Sequence, residues 1–291
     1  MGERHARQTF LVGCLAGVCA GGGVAFFAGR MSMIPDAPPP QTAVASAAPL
    51  ASASASTTPA LPPADSLLKG SFAQQGEDLI VKQIFIELDI TDTTYVDIGA
   101  HDPIRGNNTF LFYLHGSHGV LIEPNPVYAE KLRRVRPRDT VIAKGIGVTG
   151  ETSADYFDFG EDGQENTFSK EQADTLVRLG MPLKGKMKMP LVGINEVLAA
   201  NFPSAPPALF SIDTEGFDLP ILRTLDFARF RPPVICAETL EMGTNQVIGA
   251  IAEFLRTKKY VARGGTFVNT IFVAEEWLTK KTDLDAGRDA R

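Results

Sequence analysis

Acidic side chains stand at or just beyond the ends of several apolar runs in this 291-residue chain: Glu123, Asp213, Glu215 and Glu238. An apolar run of about four to eight residues bounded in this way is typical of a buried strand. A carboxylate at such a strand end accepts hydrogen bonds from ribose hydroxyls, takes a proton from a hydroxyl group, or binds a divalent cation. The pattern predicts a ligand site at the carboxyl ends of parallel strands.

The first two apolar runs show which ligand to expect. Residues 95–103 contain a strand followed by a turn at Gly99, and a second strand ends at Glu123 about twenty residues later, which is typical of a nucleotide-binding sheet. A dinucleotide-binding turn carries three glycines against a pyrophosphate, and the second and third are missing here. Since S-adenosylmethionine has no phosphates, the turn favours it over NAD. Asp97 is expected beneath the ligand, where it orients the turn or receives the ammonium group through water, or else caps the turn.

The later carboxylates are expected to converge beside the acceptor of the reaction. Asp213 and Glu238 are candidate ligands for a divalent cation such as magnesium. Asp213 and Glu215 are candidates for removing a proton from the acceptor or for binding it. All three carboxylates can instead satisfy backbone donors in neighbouring loops. His101, in the glycine turn, is a candidate base for a hydroxyl acceptor, or a hydrogen-bonding spacer.

Alternating strands and helices must position these residues. Strands are predicted at 95–100, 119–123, 140–148, 208–213, 234–238, 260–263 and 267–274, and helices at 75–88, 108–115, 126–135, 170–179, 219–227 and 246–258. This order predicts an α/β fold: a Rossmann-like, seven-stranded class I methyltransferase sheet with helices on both faces and a C-terminal antiparallel hairpin split at Gly264-Gly265.

Composition divides the chain into four segments. Residues 1–30 are predicted to form an N-terminal membrane anchor or signal segment, and 31–66 an Ala/Pro/Ser-rich disordered linker. Residues 67–277 are predicted to form the working domain, and 278–291 a charged, disordered tail. An uncharged apolar stretch at 10–29 is long enough for a single-pass transmembrane helix.

The N-terminal stretch carries two further patterns. Gly13, Gly17 and Gly21 recur every four residues, which is typical of paired transmembrane helices. Arg4 and Arg7 outweigh Arg30, and this slight positive-inside bias predicts the amino terminus in the cytoplasm and the working domain outside, where S-adenosylmethionine is not made. The side of the membrane that carries the working domain therefore stays open.

Charge and cysteine content exclude other classes. The net charge of -6 gives no sign of nucleic-acid binding, and the basic residues between Lys131 and Arg138 are interpreted as a solvated helix face. Three cysteines cannot form a disulfide framework. A C-x-x-C pair, an H-E-x-x-H motif and a Walker loop are all missing from the sequence.

Several motifs in order resemble the FkbM family of S-adenosylmethionine-dependent methyltransferases. Residues 73–78 (Ala-Gln-Gln-Gly-Glu-Asp) resemble the family's opening motif, 95–103 its cofactor loop, and 107–109 with 122–126 its Asn-Thr and Glu-Pro-Asn-Pro elements. Residues 212–216 (Ile-Asp-Thr-Glu-Gly) resemble its Ile-Asp-x-Glu-Gly signature. Pro103 and Ser211 depart from the family pattern, where glycine and lysine are usual.

The resemblance implies O-methylation of a sugar or other natural-product hydroxyl, a small-molecule or glycan acceptor, and S-adenosylmethionine as donor. It implies that Asp97, Gly99 and Glu123 bind the cofactor, and that Asp213 and Glu215 lie near the acceptor. The cofactor-binding candidates are Gln74, Glu77, Asp97, Gly99, Ala100 and Glu123. Two alternatives are a catalytically silent binding module of the same fold and an NAD-linked oxidoreductase.

Overall fold

The computed structural model of the protein describes residues 70–160, 163–241, 246–247 and 249–279. The predicted anchor at 10–29, with its glycine repeat, and the linker at 31–66 lie outside these ranges, as does most of the predicted tail. Within the described ranges, no helix combines the length and the apolar character needed to cross a membrane.

The described residues alternate between strands and helices through most of their length. In chain order the elements are α1 Glu77–Glu87, β1 Tyr95–Ile98, α2 Phe110–Leu114, β2 Gly119–Ile122, α3 Pro126–Val135, β3 Thr140–Ile142, β4 Gly145–Gly147, β5 Ser153–Asp158, α4 Lys170–Arg178, β6 Gly185–Gly193, α5 Ile194–Asn201, β7 Leu209–Ile212, α6 Asp218–Thr224, β8 Val234–Glu238, β9 Leu240–Glu241, β10 Gln246–Val247, α7 Gly249–Thr257, β11 Tyr260–Gly265 and β12 Asn269–Ala274.

Seven of these strands form the central sheet, in the order β11-β12-β8-β7-β1-β2-β3. The neighbouring strands from β8 to β3 pair in parallel, whereas β12 pairs antiparallel with both β8 and β11. The order reverses between β1 and β7, and ligands bind at such a switch point in open α/β sheets. The predicted seven-stranded α/β sheet and its closing antiparallel hairpin are confirmed.

The two faces of the sheet bury separate cores, because successive side chains of a strand point to opposite sides. One core joins residues such as Val96 and Phe210 to helices α5, α6 and α7. The other joins Tyr95 and Leu209 to α1, α2 and Leu132 of α3. Helices therefore cover both faces, as predicted.

A second, three-stranded sheet with the order β4-β6-β5 was not anticipated from the sequence. The single strand predicted at 140–148 is wrong, since β3 ends at Ile142 and β4 pairs instead with β6. A Cβ on Gly145 would lie 2.4 Å from the ring of Phe168, so the absence of a side chain there lets the chain pass close to that ring.

The C-terminal hairpin has a different turn from the predicted one. Gly264 and Gly265 belong to β11 and pair with Ile271 and Thr270, with a register shift after Ala262. The turn consists of residues 266–268, where the amide of Thr266 donates to the carbonyl of Asn269 at 2.8 Å. The predicted helix at 246–258 is also shorter, because it begins at Gly249.

Candidate functional site

The carboxyl ends of β2, β1, β7 and β8 lie side by side at one edge of the sheet. Glu123 follows β2, Gly99 follows β1, Asp213 follows β7, and Glu238 is the last residue of β8. The predicted ligand-binding positions are thereby brought to one edge, because all four strands run in the same direction.

These polar groups also share one face of the sheet. By strand alternation Asp97, Ser211 and Glu238 point to the same side as Tyr95, Leu209 and Cys236, respectively, which belong to the core under α1 and α2. Asn269 of β12 pairs directly with Glu238 in the ladder and joins this face. The candidate site therefore consists of polar side chains at the carboxyl ends of the strands, on the same face of the sheet as the apolar core under α1 and α2.

The turn after β1 requires glycine at position 99. Gly99 has a φ of 82°, and a Cβ added there would lie 1.8 Å from the carbonyl oxygen of Asp213. Its amide donates to the carbonyl of Ile122 at 2.9 Å, and the amide of Ala100 reaches the same oxygen at 3.3 Å. This turn is therefore in direct backbone contact with the strand ends on both of its sides.

Glu123 is buried, and each of its carboxylate oxygens accepts a backbone amide. Oε2 accepts from the amide of His101 at 2.8 Å, and Oε1 from the amide of Asn125 at 2.7 Å. Burial raises the pKa of Glu123 to about 7, while the two amides act in the opposite direction. A carboxylate offers about four acceptor positions, so each oxygen can still accept one donor from a ligand.

The segment after Glu123 is shaped by a well-formed helix start. Pro126 occupies the first turn of α3, where its missing amide is not needed, and the side chain of Asn125 accepts from the amide of Val127 at 3.0 Å. This cap holds the amide of Asn125 in place against Glu123.

His101 adopts a left-handed backbone conformation with a φ of 45°, which is uncommon for a residue with a Cβ. Its ring centroid lies 3.9 Å from that of Tyr128 in α3, at 37°. The structure thus places His101 on the Glu123 side of the turn, against an aromatic ring. Its catalytic role stays a prediction.

Asp213, Glu215 and Glu238 form a cluster in which one carboxylate oxygen from each residue lies within 4.8 Å of the other two. The predicted convergence of these three carboxylates is found. All three side chains are partly exposed at the sheet edge. A hydrogen bond joins Glu238 to Asp213, and the backbone of Glu215 is left-handed with a φ of 52°.

Burial among like charges changes the ionisation of the cluster. Desolvation raises the pKa of Asp213 to about 6 and that of Glu238 to about 11, with the charge of Asp213 as the second cause for Glu238. The pKa of Glu215 is raised well above its usual range by the same two effects. The hydrogen bond between Glu238 and Asp213 therefore holds a proton that the raised pKa values keep within the cluster.

The segment between β5 and α4 bridges the two halves of the site. The hydroxyl of Thr167 donates to the carbonyl of Glu215 at 2.8 Å. On the other side, a Cβ on Gly163 would lie 3.0 Å from Nδ2 of Asn125 and 3.2 Å from the ring of Tyr128. The sequence pattern contained no signal for this bridge.

The two candidates from the opening motif, Gln74 and Glu77, differ in exposure. Gln74 is exposed. Glu77 is fully buried, and its Oε1 accepts from the hydroxyl of Thr266 at 2.6 Å and from Nδ2 of Asn269 at 3.0 Å. Glu77 therefore fastens α1 to the C-terminal hairpin, and its charge raises the pKa of the nearby Asp213. A cofactor contact by Gln74 or Glu77 stays a prediction.

Asp97 has partners from α2 and the neighbouring strand. Its Oδ2 accepts from the hydroxyl of Thr109 at 2.8 Å, and Ser211 forms a second hydrogen bond. Burial raises the pKa of Asp97, while Arg136 and these hydrogen bonds lower it.

The interpretation of the basic residues as a solvated helix face is wrong for Arg136, whose side chain is fully buried. The last turn of α3 ends at this residue, so its side chain turns inward beneath α2. It pairs with Asp139 at 2.7 Å and donates to Asn107 and Thr109. Charge clustering alone cannot distinguish an inward arginine from an outward one.

Asn108 is a polar residue near the site to which sequence analysis assigned no role. Its Nδ2 donates to the hydroxyl of Ser211 at 3.2 Å, while Oδ1 is buried without a hydrogen-bond partner. Oδ1 of Asn269 is likewise buried without a hydrogen-bond partner. The motif of residues 107–109 was the available signal, because consecutive polar residues open an otherwise apolar helix there.

A cavity of about 570 Å³ opens beside the Glu123 turn. Asn125, Val127, Tyr156, Asn166, Lys184 and Met187 contribute to its lining. Tyr156 is buried, and the charge of Glu123 contributes, after burial, to the raised pKa of its hydroxyl. The cavity thus adjoins the residues that surround Glu123.

An open, mostly parallel seven-stranded sheet with this order, a glycine turn after β1 and an acidic residue after β2 defines a Rossmann-like protein with a nucleotide-type site. Within that class, the methyltransferase FkbM domain matches residues 97–262, more than half of the chain. The chain belongs to the FkbM methyltransferase family, which uses S-adenosylmethionine. No curated protein matches it.

Solved structures of methyltransferases resemble the chain only distantly. A TehB-like SAM-dependent methyltransferase from Corynebacterium glutamicum is 8% identical, with 69% of this chain and 88% of that chain covered and a TM-score of 0.38. An O-methyltransferase from Bacillus cereus, in complex with SAH, is 13% identical, with 72% and 84% covered and a TM-score of 0.36. A precorrin-6y C5,15-methyltransferase from Geobacter metallireducens is 13% identical, with 68% and 86% covered and a TM-score of 0.35.

Proposed function

We propose that this protein is an O-methyltransferase that transfers the methyl group of S-adenosylmethionine to a hydroxyl of a sugar or another small, natural-product-like acceptor. The observation that carries the proposal is the Asp213, Glu215 and Glu238 cluster at the sheet edge, beside the glycine turn. A hydroxyl is a weak nucleophile until its proton is removed, and this cluster contains a carboxylate suited to that step.

The residues at the carboxyl edge fit S-adenosylmethionine. When bound, it supplies a methyl group on a positively charged sulfur. Glu123 retains acceptor capacity on both oxygens for the two ribose hydroxyls, and its pKa of about 7 reflects a buried carboxylate in need of further donors. Gly99, Ala100 and Asp97 are assigned to the amino acid end of the cofactor.

Asp213 is assigned as the general base. Its pKa of about 6 is close to the value that favours proton transfer near neutrality. Its role would be to accept the proton of the acceptor's hydroxyl, whose oxygen would take the methyl group from the bound cofactor and leave S-adenosylhomocysteine. Glu238 holds Asp213 in place through their hydrogen bond. Glu215 contributes acceptor binding.

A divalent cation such as magnesium is a second element of the proposal, and its ligands would be Asp213 and Glu238, with Glu215 beside them. The three carboxylate oxygens are close enough to share one ion, and their raised pKa values describe a cluster with too little positive charge nearby. Chelation tests this element: activity lost with a chelator and restored by magnesium supports it, whereas activity unaffected by a chelator removes the ion.

The test of the proposed function begins with calorimetric titration of the full chain with S-adenosylmethionine, S-adenosylhomocysteine and NAD. Binding of the first two and not of NAD is expected. The chain is then incubated with methyl-labelled S-adenosylmethionine and a panel of sugars and polyhydroxylated small molecules. Label in an ether linkage supports O-methylation. Label attached to nitrogen or carbon contradicts it, and cofactor binding without transfer to any acceptor favours a silent binding module.

A further inference from the structure

Arg136 lies beneath the glycine turn, at the centre of a buried polar network. We propose that Arg136 is a positioning residue for the cofactor: acting through Asn107 and Thr109, it holds the turn after β1 in its binding conformation. The inference rests on the proposed cofactor role of that turn, and it assigns a function to an arginine that touches neither the turn nor the carboxylate cluster directly.

The environment of Arg136 is built to hold its guanidinium in one orientation. Nε donates to Oδ2 of Asp139 at 2.7 Å, and Nη2 donates to the hydroxyl of Tyr95 at 2.9 Å. Asp139 is itself fixed, because it accepts from the amide of Gly119 at 2.8 Å and from the hydroxyl of Tyr95. A buried arginine is costly unless such partners surround it, and the planar fork of donors then has a defined direction.

The first arm of this fork reaches the turn through Asn107. Nη1 of Arg136 donates to Oδ1 of Asn107 at 2.8 Å. Nδ2 of Asn107 donates to the carbonyl of Ala100 at 3.0 Å and to that of Asp102 at 3.2 Å. These two carbonyls belong to the residues on either side of His101. The Asn107 amide therefore stabilises the left-handed conformation of His101 and the hydrogen bond from its amide to Glu123.

The second arm reaches the centre of β1 through Thr109. Nη2 of Arg136 donates to Oγ1 of Thr109 at 3.0 Å, and that hydroxyl donates to Oδ2 of Asp97 at 2.8 Å. Because the hydroxyl accepts from Arg136, its single proton is left for the carboxylate of Asp97 or for Oδ1 of Asn107, which lies 3.0 Å away. The arginine therefore orients the carboxylate under the turn as well as the turn itself.

This network explains how the turn keeps its shape without the second and third glycines of a dinucleotide-binding turn. The backbone of residues 100–106 is fixed by a side-chain amide below it, together with Asp102, whose Oδ1 accepts from the amides of Ile104 and Arg105. Between residues 99 and 106, Gly99 and Gly106 have the positive φ that favours glycine, and His101 has a positive φ despite its side chain.

The test compares two variants of the same network in the full chain. Asn107→Asp keeps the acceptor for Arg136 but loses both donors to the turn. Tyr95→Phe removes a partner of the same arginine in the core and leaves both arms intact. Hydrogen exchange of the amides of residues 99–106, affinity for S-adenosylhomocysteine and Tm are measured for each.

Asn107→Asp is expected to speed exchange in residues 99–106 and to weaken S-adenosylhomocysteine binding by about tenfold or more. Tyr95→Phe is expected to lower Tm while local exchange and affinity stay within about twofold of the wild type. Arg136→Lys, which keeps the charge but cannot serve both arms, is expected to resemble Asn107→Asp in exchange and affinity.

The proposal would be overturned if Asn107→Asp kept the exchange rates and the S-adenosylhomocysteine affinity of the wild type. It would also be overturned if Asn107→Asp and Tyr95→Phe lost affinity and exchange protection equally, because Arg136 would then only stabilise the core. Faster exchange in Asn107→Asp with unchanged S-adenosylhomocysteine affinity would distinguish the role of Arg136 in the turn from the role of the turn in cofactor binding. The turn would then depend on Arg136 as proposed, and the assignment of the turn to the cofactor would fail.

Discussion

The Cα of Gly99 stands so close to Asp213 that a Cβ at position 99 would lie 1.8 Å from the carbonyl oxygen of Asp213. The amide of Asp213 in turn donates to the carbonyl of Ile98 at 3.0 Å. The turn proposed to bind the cofactor and the loop proposed to bind the acceptor therefore share one backbone contact, and a displacement of either displaces the other.

Gly99→Ala is expected to destabilise the protein more than the same substitution at a glycine that has a similar positive φ but open space where a Cβ would lie. Gly150 is the matched control, because its φ is 92° and a Cβ there meets nothing within 4 Å. Gly150→Ala should cost about 1–2 kcal/mol of unfolding free energy. Gly99→Ala should cost more and should also abolish cofactor binding. Urea denaturation and calorimetry measure both; equal costs in the two variants would contradict the close approach.

Glu123→Gln is expected to weaken S-adenosylmethionine binding by about tenfold or more (on the order of 1.4 kcal/mol). The amide keeps the size of the side chain, but it loses the charge and turns one acceptor into a donor. Since the pKa of Glu123 is about 7, wild-type affinity should fall as pH drops through that value, and the variant should lose this dependence.

Titration calorimetry at several pH values measures the effect of Glu123→Gln. Glu130→Gln, at an exposed ion pair on α3, is the control and should bind as the wild type does. A folded Glu123→Gln protein with unchanged affinity would remove Glu123 from the cofactor site.

Asp213→Asn is expected to lower turnover by about 10²- to 10⁴-fold, the usual contribution of a general base, with cofactor affinity within about twofold of the wild type. The substitution keeps the size of the side chain and removes its basicity. Single-turnover assays with the acceptor identified from the panel, combined with calorimetry, measure the two quantities. Methyl transfer at the wild-type rate would exclude Asp213 as the base.

The ligand-free protein is expected to lose stability as pH rises from about 4 to about 7. Burial raises the pKa of Asp218 to about 7, of Glu123 to about 7 and of Asp213 to about 6, above ordinary values of 3.8, 4.5 and 3.8. In this window the folded protein keeps protons that the unfolded chain has released. Unfolding free energy therefore falls with increasing pH and is greatest on the acidic side of the window.

Urea denaturation across this range measures the slope. Asp218→Asn should make the slope shallower, because it removes one of the groups whose pKa is raised in the folded state. Stability that rises between pH 5 and pH 7 in the ligand-free protein would contradict the raised pKa values.

The fold was largely predictable from local patterns. Runs such as 95–98, 119–122, 209–212 and 234–238 are apolar and bounded by turn residues, so each indicated a buried strand without reference to any partner. The split of residues 140–147 between two sheets was not predictable. Its cause is the partner strand β6, about 45 residues further along the chain, which periodicity cannot reveal.

The sequence by itself determined most strands and helices of the central sheet, the strand-end carboxylates and the family, because these depend on residue types at short spacing. Only the tertiary structure decided which groups meet. It brought Asp213, Glu215 and Glu238 together, tied Glu77 to Asn269 across the chain, and turned Arg136 inward. Each of these depends on sheet order and helix direction, which are set by packing between distant segments; the residues involved have the same composition and spacing whether they face solvent or one another.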